Sequence, residues 1–316
     1  MRTVKEPHVL SCPEVNYTRA PNWNTPMVKL ATESKRFHCH VYAKLELVNP
    51  TGVHKDRESS MIVLDMRKKR MNELACTSTG NAAISISAFA FMHRFKAHIF
   101  VGEIPEEKLQ LIRIFSPEIH KVKGAYLDAL RSMLEYVKET KIYNASAGYC
   151  QAKLEGNSYI GHEIARDLNP DYVICPTNNG THFVGVGMGI TRAGCKARMI
   201  AAIAPHSTVA SSITGFYAVE QPRIDETIKT TDGQLVQIED NELLESTGSL
   251  AKQGIFAEPA SAASVAALSR INPKKNSVVC CTITGSAFKY PLALQNLLGS
   301  SKQSNLNAPG ETSARA

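Results

Sequence analysis

Asn49-Pro50-Thr51-Gly52-Val53-His54-Lys55-Asp56-Arg57 is the stretch on which the fold reading turns. Ahead of it, residues 41–48 (Val-Tyr-Ala-Lys-Leu-Glu-Leu-Val) read as a strand, and after it residues 57–70 read as a helix. A lysine at a strand-to-helix turn sits near a helix N-terminus, where the positive end of the dipole and free backbone N–H groups favour anions. Its ammonium form is disfavoured there, which helps to make a nucleophilic amine. A lone loop lysine is usually a surface residue. Three further segments set this one apart.

The first is Ser78-Thr79-Gly80-Asn81, which follows the apolar run Leu74-Ala75-Cys76 and opens a helix of small residues from Ala82 to Ala88. Small residues let the backbone approach a ligand, and the helix start offers N–H donors to a carboxylate; N-capping alone is the plainer reading. The second is Pro176-Thr177-Asn178-Asn179-Gly180-Thr181-His182, between a buried strand at 172–175 and a helix with glycines at 185, 187 and 189. Strand, polar glycine-containing loop and helix start form a phosphate cradle. The third is a buried strand at 277–284 that runs into Gly285-Ser286-Ala287-Phe288-Lys289. In an α/β sheet a hydroxyl at a strand's C-terminal end, here Thr284, can face the ligand crevice. By alternation Thr282 shares its face and is its rival.

In this order and spacing the segments resemble the fold type II pyridoxal-phosphate enzymes, the tryptophan synthase β-like fold, and among them most closely the threonine synthase pattern. The matching residues are Pro50 to Arg57, Ser78 to Asn81, Glu258-Pro259-Ala260-Ser261 and Thr284 to Lys289. The resemblance spans about residues 25–294. It implies two parallel-sheet α/β domains with pyridoxal 5'-phosphate between them. The large domain would comprise 1–44 and 151–298, and the small one 45–150. It also implies roles. Lys55 would form the Schiff base and move protons between substrate carbons. Asn81 would meet the cofactor's ring oxygen, and Thr177, Asn178, Asn179, Gly180 and Thr181 its phosphate. Thr284 would meet the pyridine nitrogen, and Ser78, Thr79 and Gly80 the substrate carboxylate. Lys153, with Asn144 and Ser146, would face the leaving phosphate. The chain departs from the pattern at His54, where an aromatic residue is usual. It departs again at Lys153, where arginine is usual, and lysine binds phosphate as a point charge instead of a planar fork.

The implied activity is a lyase that converts O-phosphohomoserine, or a similar anionic amino acid, and water to threonine and phosphate by elimination and β-replacement. A serine or threonine dehydratase, or an enzyme like cysteine or cysteate synthase, is the alternative. A catalytically silent relative would not need Lys55, Asn81 and Thr284 together. A homodimer is the implied assembly.

Composition narrows the remaining classes. The 316 residues are 43% hydrophobic and 21% charged, ordinary for a globular protein with a large core. No apolar run approaches the roughly 20 residues that span a bilayer. The first residues lack the apolar core of a signal peptide, so a cytoplasmic protein is expected. Net charge is +7, but no basic run is interleaved with aromatics. Nucleic acid and membrane partners are therefore not expected, and a positive cleft suits anionic substrates. The eight cysteines include no Cys-x-x-Cys pair. Cys76, Cys175, Cys280 and Cys281 read as small buried hydrophobes, the last two facing opposite sides of one strand. His38 and His40 read as surface residues, and no metal site is expected. Strands and helices alternate along the chain, which implies a parallel sheet covered on both faces. Residues 299–316, rich in Ser and Asn, are expected to be disordered.

Overall fold

The computed structural model of the chain describes residues 21–78, 80–104, 106–215 and 219–289. Thr79 and the tail expected at 299–316 lie outside the described residues. Elements run β1 (Met27–Lys29), α1 (Ala31–Phe37), β2 (His40–Leu45), α2 (Lys55–Lys68), β3 (Glu73–Thr77), α3 (Asn81–Met92) and β4 (Lys96–Val101). They continue through α4 (Glu106–Arg113), β5 (Glu118–Lys121), α5 (Tyr126–Thr140), β6 (Tyr143–Asn144), α6 (Gln151–Asp167), β7 (Tyr172–Pro176) and α7 (Thr181–Arg192). The chain then forms β8 (Arg198–Ile203), α8 (Gln221–Thr230), β9 (Gln234–Gln237), α9 (Asp240–Lys252), α10 (Pro259–Ala266), α11 (Leu268–Ile271) and β10 (Val278–Ile283).

The strands make two sheets, in the orders β1-β2-β10-β7-β8-β9 and β5-β4-β3-β6. Each belongs to its own α/β domain. All pairings are parallel except β1 with β2, an antiparallel edge that the alternation does not foretell. Both large-sheet faces are covered, so its inner strands are apolar on both sides. Cys281 packs with Ile174 and Ile200 on one face, while Cys280 packs with Val173, Cys175 and Met199 on the other.

The boundaries around the Lys55 turn differ from the sequence reading, and this moves the site. The strand read at 41–48 is β2, which stops at Leu45; Glu46–Val48 form a 3-10 turn, and α2 begins at Lys55 instead of Arg57. Helix α6 begins at Gln151, so Lys153 and Gly156 are both helical. Gly156 looks like a break in sequence, yet it is where α6 crosses α2, since a Cβ there would lie 2.4 Å from the Arg57 carbonyl oxygen. The Gly-spaced helix has the same cause. A Cβ at Gly185 would meet Asn157, and one at Gly189 the Ser158 carbonyl, so α6 and α7 pack nearly backbone to backbone. Side chains from three helices thereby converge behind Lys55.

Candidate active site

The C-terminal ends of β2, β3, β7, β8 and β10 open toward one cavity of about 440 Å³, a size suited to a small ligand at the carboxyl edge of parallel strands. Of the residues singled out in sequence, His54, Lys55, Ser78, Gly80, Asn81, Lys153, Thr177, Asn178, Asn179, Gly180 and Thr284 line it. Thr284 lines the cavity, whereas its rival Thr282 is fully buried with its hydroxyl on His182 Nε2 at 3.0 Å. Thr181 lies just behind the lining.

Asn144 and Ser146 do not line the cavity, which corrects their expected position. Asn144 Oδ1 accepts the Ser146 N–H at 3.0 Å, and the buried Ser146 hydroxyl accepts the Thr77 N–H at 3.2 Å. They brace the end of β3. Lys153 does line the cavity, from a helix. It sits in the first turn of α6 and is 5% exposed.

Lys55 points inward. Its Nζ donates to Glu58 Oε1 at 2.6 Å, one turn along α2. Lys153 Nζ lies 3.4 Å from Glu58 Oε2, and Asn157 Nδ2 donates to Oε1 at 2.9 Å. Burial lowers the Lys55 amine from its ordinary range. The charge of Glu58 works against that shift, and the charge of Lys153 adds to it. Beside them the His54 and His182 rings pack with centroids 4.4 Å apart, tilted by 55° to one another. Burial and the neighbouring Lys55 push His182 down to about 3, so its imidazole is neutral.

On the opposite wall Asn81 Nδ2 donates to Glu258 Oε1 at 2.8 Å, and Lys289 Nζ donates to Asn81 Oδ1 at 2.7 Å. The Thr284 and Ser261 hydroxyls are 2.9 Å apart. Residues 209–214 and Lys108 of α4 close the mouth, where Lys108 Nζ donates to Ser211 Oγ at 3.1 Å. Asn178 Nδ2 holds the same loop through the Ser212 carbonyl at 3.2 Å.

A family model described as pyridoxal-phosphate dependent enzyme matches residues 19–285. The chain belongs to that family. It is 29% identical over 299 residues to a threonine synthase of Halalkalibacterium halodurans, covering 85% of this chain and 83% of that one. It is 28% identical over 288 residues to a threonine synthase of Methanocaldococcus jannaschii, covering 79% and 71%. Among solved structures, an L-serine ammonia-lyase of Rhizomucor miehei superposes with a TM-score of 0.76 at 19% identity, covering 87% of this chain and 98% of that one. The fold is type II, and the protein is a pyridoxal-phosphate-dependent lyase similar to threonine synthases.

The residues present fit that cofactor. The Thr177–Thr181 loop ends at Gly180, held at φ +93°, where a Cβ would strike Ile224 and Glu220. It leads into the N-terminus of the twelve-residue α7, an arrangement that favours phosphate. The buried Thr181 Oγ1 and His54 Nε2 have no hydrogen-bond partner among the described residues, and buried polar groups seldom stay that way. No helix among the described residues is long and apolar enough to cross a membrane.

Sequence reasoning missed Glu58, Asn157, His182, Lys108 and the 209–214 loop. Glu58 was readable, since it stands three residues after Lys55 on one helix face. The others had no local signal, because only packing brings them to the site.

Proposed function

We propose that this enzyme acts on an amino acid with an anionic side-chain leaving group. O-phosphohomoserine is the leading candidate, converted with water to threonine and phosphate. The observation that carries the reading is that three lysines, Lys55, Lys108 and Lys153, line one small cavity and outnumber its two carboxylates, Glu107 and Glu258. Similarity to threonine synthases supports it.

Bound pyridoxal phosphate supplies the electron sink that makes a substrate's α-proton acidic. Lys55 is assigned the covalent link to the cofactor and the proton transfers at the substrate's α and β carbons. Thr177–Thr181 and the start of α7 hold the cofactor phosphate. Asn81, held between Glu258 and Lys289, would present its amide to the ring oxygen. Thr284 offers the pyridine nitrogen a neutral hydroxyl, which gives a moderate sink suited to elimination and replacement. Ser78 and Gly80, at the start of α3, take the substrate carboxylate. Lys153 and Lys108 take the distal anion. The domain limits proposed with this reading are 1–44 with 151–298, and 45–150. A homodimer is proposed with them.

Phosphate release and keto-acid formation, measured against a panel of phosphorylated and unphosphorylated amino acids, test the reading. Threonine and phosphate formed in equal amounts from O-phosphohomoserine is the expected result. Ammonia and a keto acid from serine or threonine, with no phosphate released from any phosphorylated substrate, would replace it with a dehydratase.

A further inference from the structure

Glu58 is 1% exposed, and its carboxylate lies against the amine on which the proposed chemistry turns. The donors around it are fixed by their partners. Asn157 Nδ2 serves two acceptors, Glu58 Oε1 at 2.9 Å and the Lys153 carbonyl at 3.0 Å, so Oδ1 must face His182. His182 Nδ1 meets that Oδ1 at 2.9 Å and therefore carries the ring proton, which leaves Nε2 an acceptor for the Thr282 hydroxyl at 3.0 Å, nearer than that hydroxyl's other acceptor, the Ile174 carbonyl at 3.3 Å. A chain of donors thus runs from β10 through α7 and α6 to one carboxylate on α2, and all of it points at Glu58.

Two ammonium groups compete for that carboxylate. Lys55 holds Oε1 at 2.6 Å, whereas Oε2 faces Lys153 at 3.4 Å with no hydrogen bond among the described residues. His54 Nε2, also without a partner, is 3.9 Å from Oε1. Glu58 thus has spare acceptor capacity beside an amine that must give up and regain protons.

We propose that Glu58 is the proton acceptor and resting partner of Lys55, a second acid–base group of the site. The inference rests on the reading of Lys55 as the cofactor-linked lysine. When Lys55 has taken a proton from substrate, an N–H bond of its ammonium breaks and an O–H bond forms on Glu58 along the existing contact. The pair passes from one positive and one negative charge to none, and Lys153 keeps its charge throughout. The neutral amine is then free to act again, and the stored proton returns by the reverse step. A reaction that moves protons at two carbons gains a second store this way.

The test uses the holoenzyme and needs no substrate. The visible absorbance band of bound pyridoxal phosphate reports protonation of the nitrogen linked to it, and is titrated over about pH 6 to 10, the range below free lysine. Glu58→Gln keeps shape and hydrogen bonding but removes the charge. Its midpoint should fall by at least about one pH unit, a tenfold loss of proton affinity. Glu58→Asp, the safer variant for folding, keeps the charge at a longer reach and should fall between the two. Labelling with acetic anhydride, in the presence of a saturating unreactive amino acid that frees Lys55, should modify Lys55 about tenfold faster in Glu58→Gln at pH 7.

Borohydride reduction and peptide mapping of the same samples separate the two failures. Label on Lys55 with no change in midpoint or labelling rate overturns the role of Glu58 alone. Label on another lysine overturns the reading beneath it as well.

Discussion

Lys55 and Arg57 lie two residues apart on α2, and each enters a buried ion cluster, yet the clusters are built differently. Arg57 faces the protein interior and is saturated. It donates to both oxygens of Glu46 at 2.8 Å and to both oxygens of Glu163 at 2.6 and 2.9 Å. Lys44 Nζ joins Glu163 at 2.6 Å and the Thr25 carbonyl at 2.7 Å, while Thr25 and Asn49 fill the remaining positions on Glu46. Two cations meet two anions, and the four side chains are fully buried. Burial alone would raise the Glu46 carboxyl, but the charge and hydrogen bonds of Arg57 outweigh it and hold it below the usual range. On the cavity side, Lys55 and Lys153 share the single carboxylate of Glu58. The closed cluster locks the Pro-Thr-Gly turn and α2 to α6. The open one leaves charge and hydrogen-bonding capacity for a ligand.

The largest effect should come from the open cluster. Lys55→Ala removes the cofactor-linked amine and the proton carrier together, so turnover should drop by at least about 10³-fold. Stability should change less than in any variant of the closed cluster, because Glu58 keeps Lys153. Steady-state kinetics and thermal melting check both halves. Turnover within tenfold of the parent would remove Lys55 from the chemistry.

Arg57→Met should show the reverse pattern. It leaves Glu46 and Glu163 buried with only Lys44 between them, and breaking such a network typically costs about 3–5 kcal/mol. Urea unfolding of the cofactor-free protein should show that loss. A change under about 1 kcal/mol would mean that water already reaches the cluster.

Asp56, between the two, is a third case, a buried carboxylate whose oxygens accept from the Thr51 N–H and hydroxyl, both at 2.6 Å. Burial raises it from 3.8 to about 6. The native state therefore holds this proton more tightly than the unfolded chain. The associated stability is complete below about pH 3.8, falls as pH climbs to about 6, and is level above. Asp56→Asn does not ionise, so between about pH 4 and pH 7 it should gain on the parent by up to about 3 kcal/mol. His182 runs the other way. Its depressed value makes both proteins less stable as pH falls below about 6.5, so the difference between parent and variant isolates Asp56. A difference that stays flat with pH would show that Asp56 is solvated.

These clusters also mark where sequence stops being informative. The Lys55 turn, the Ser78–Asn81 and Thr177–Thr181 loops and Thr284 were legible because each is a local string at a strand end. Opposite facing of Cys280 and Cys281 followed from the two-residue period of a strand. The Glu58 contacts with Asn157 and Lys153 were not legible, since they depend on α6 crossing α2 at Gly156, about 100 residues on. The same crossing explains why Lys153 is buried. Asn144 and Ser146 were misplaced because a polar Asn-x-Ser turn at a strand end looks the same whether it faces a ligand or braces the neighbouring strand.

The smallest effect is the most discriminating, because Lys153 has two possible duties in the open cluster. It could bind the distal anion of the substrate, or it could only balance Glu58 against the interior. Lys153→Met removes the charge under either duty, so activity on one substrate does not separate them. Losing one charge-assisted contact to the substrate weakens transition-state binding by roughly 1.5–3 kcal/mol, or about ten- to a hundred-fold in kcat/KM. That loss should appear with a phosphorylated amino acid and be several-fold smaller with an uncharged one. A lysine that only balances Glu58 would depress both equally, because its effect would pass through Lys55, which serves every substrate. Lys153→Arg sharpens the contrast. A guanidinium offers phosphate a bidentate fork, so it should recover more activity on the phosphorylated substrate than on the neutral one. An equal fall for both substrates in Lys153→Met, with no selective recovery in Lys153→Arg, would place Lys153 among the positioning residues and leave Lys108 as the cation that meets the leaving group.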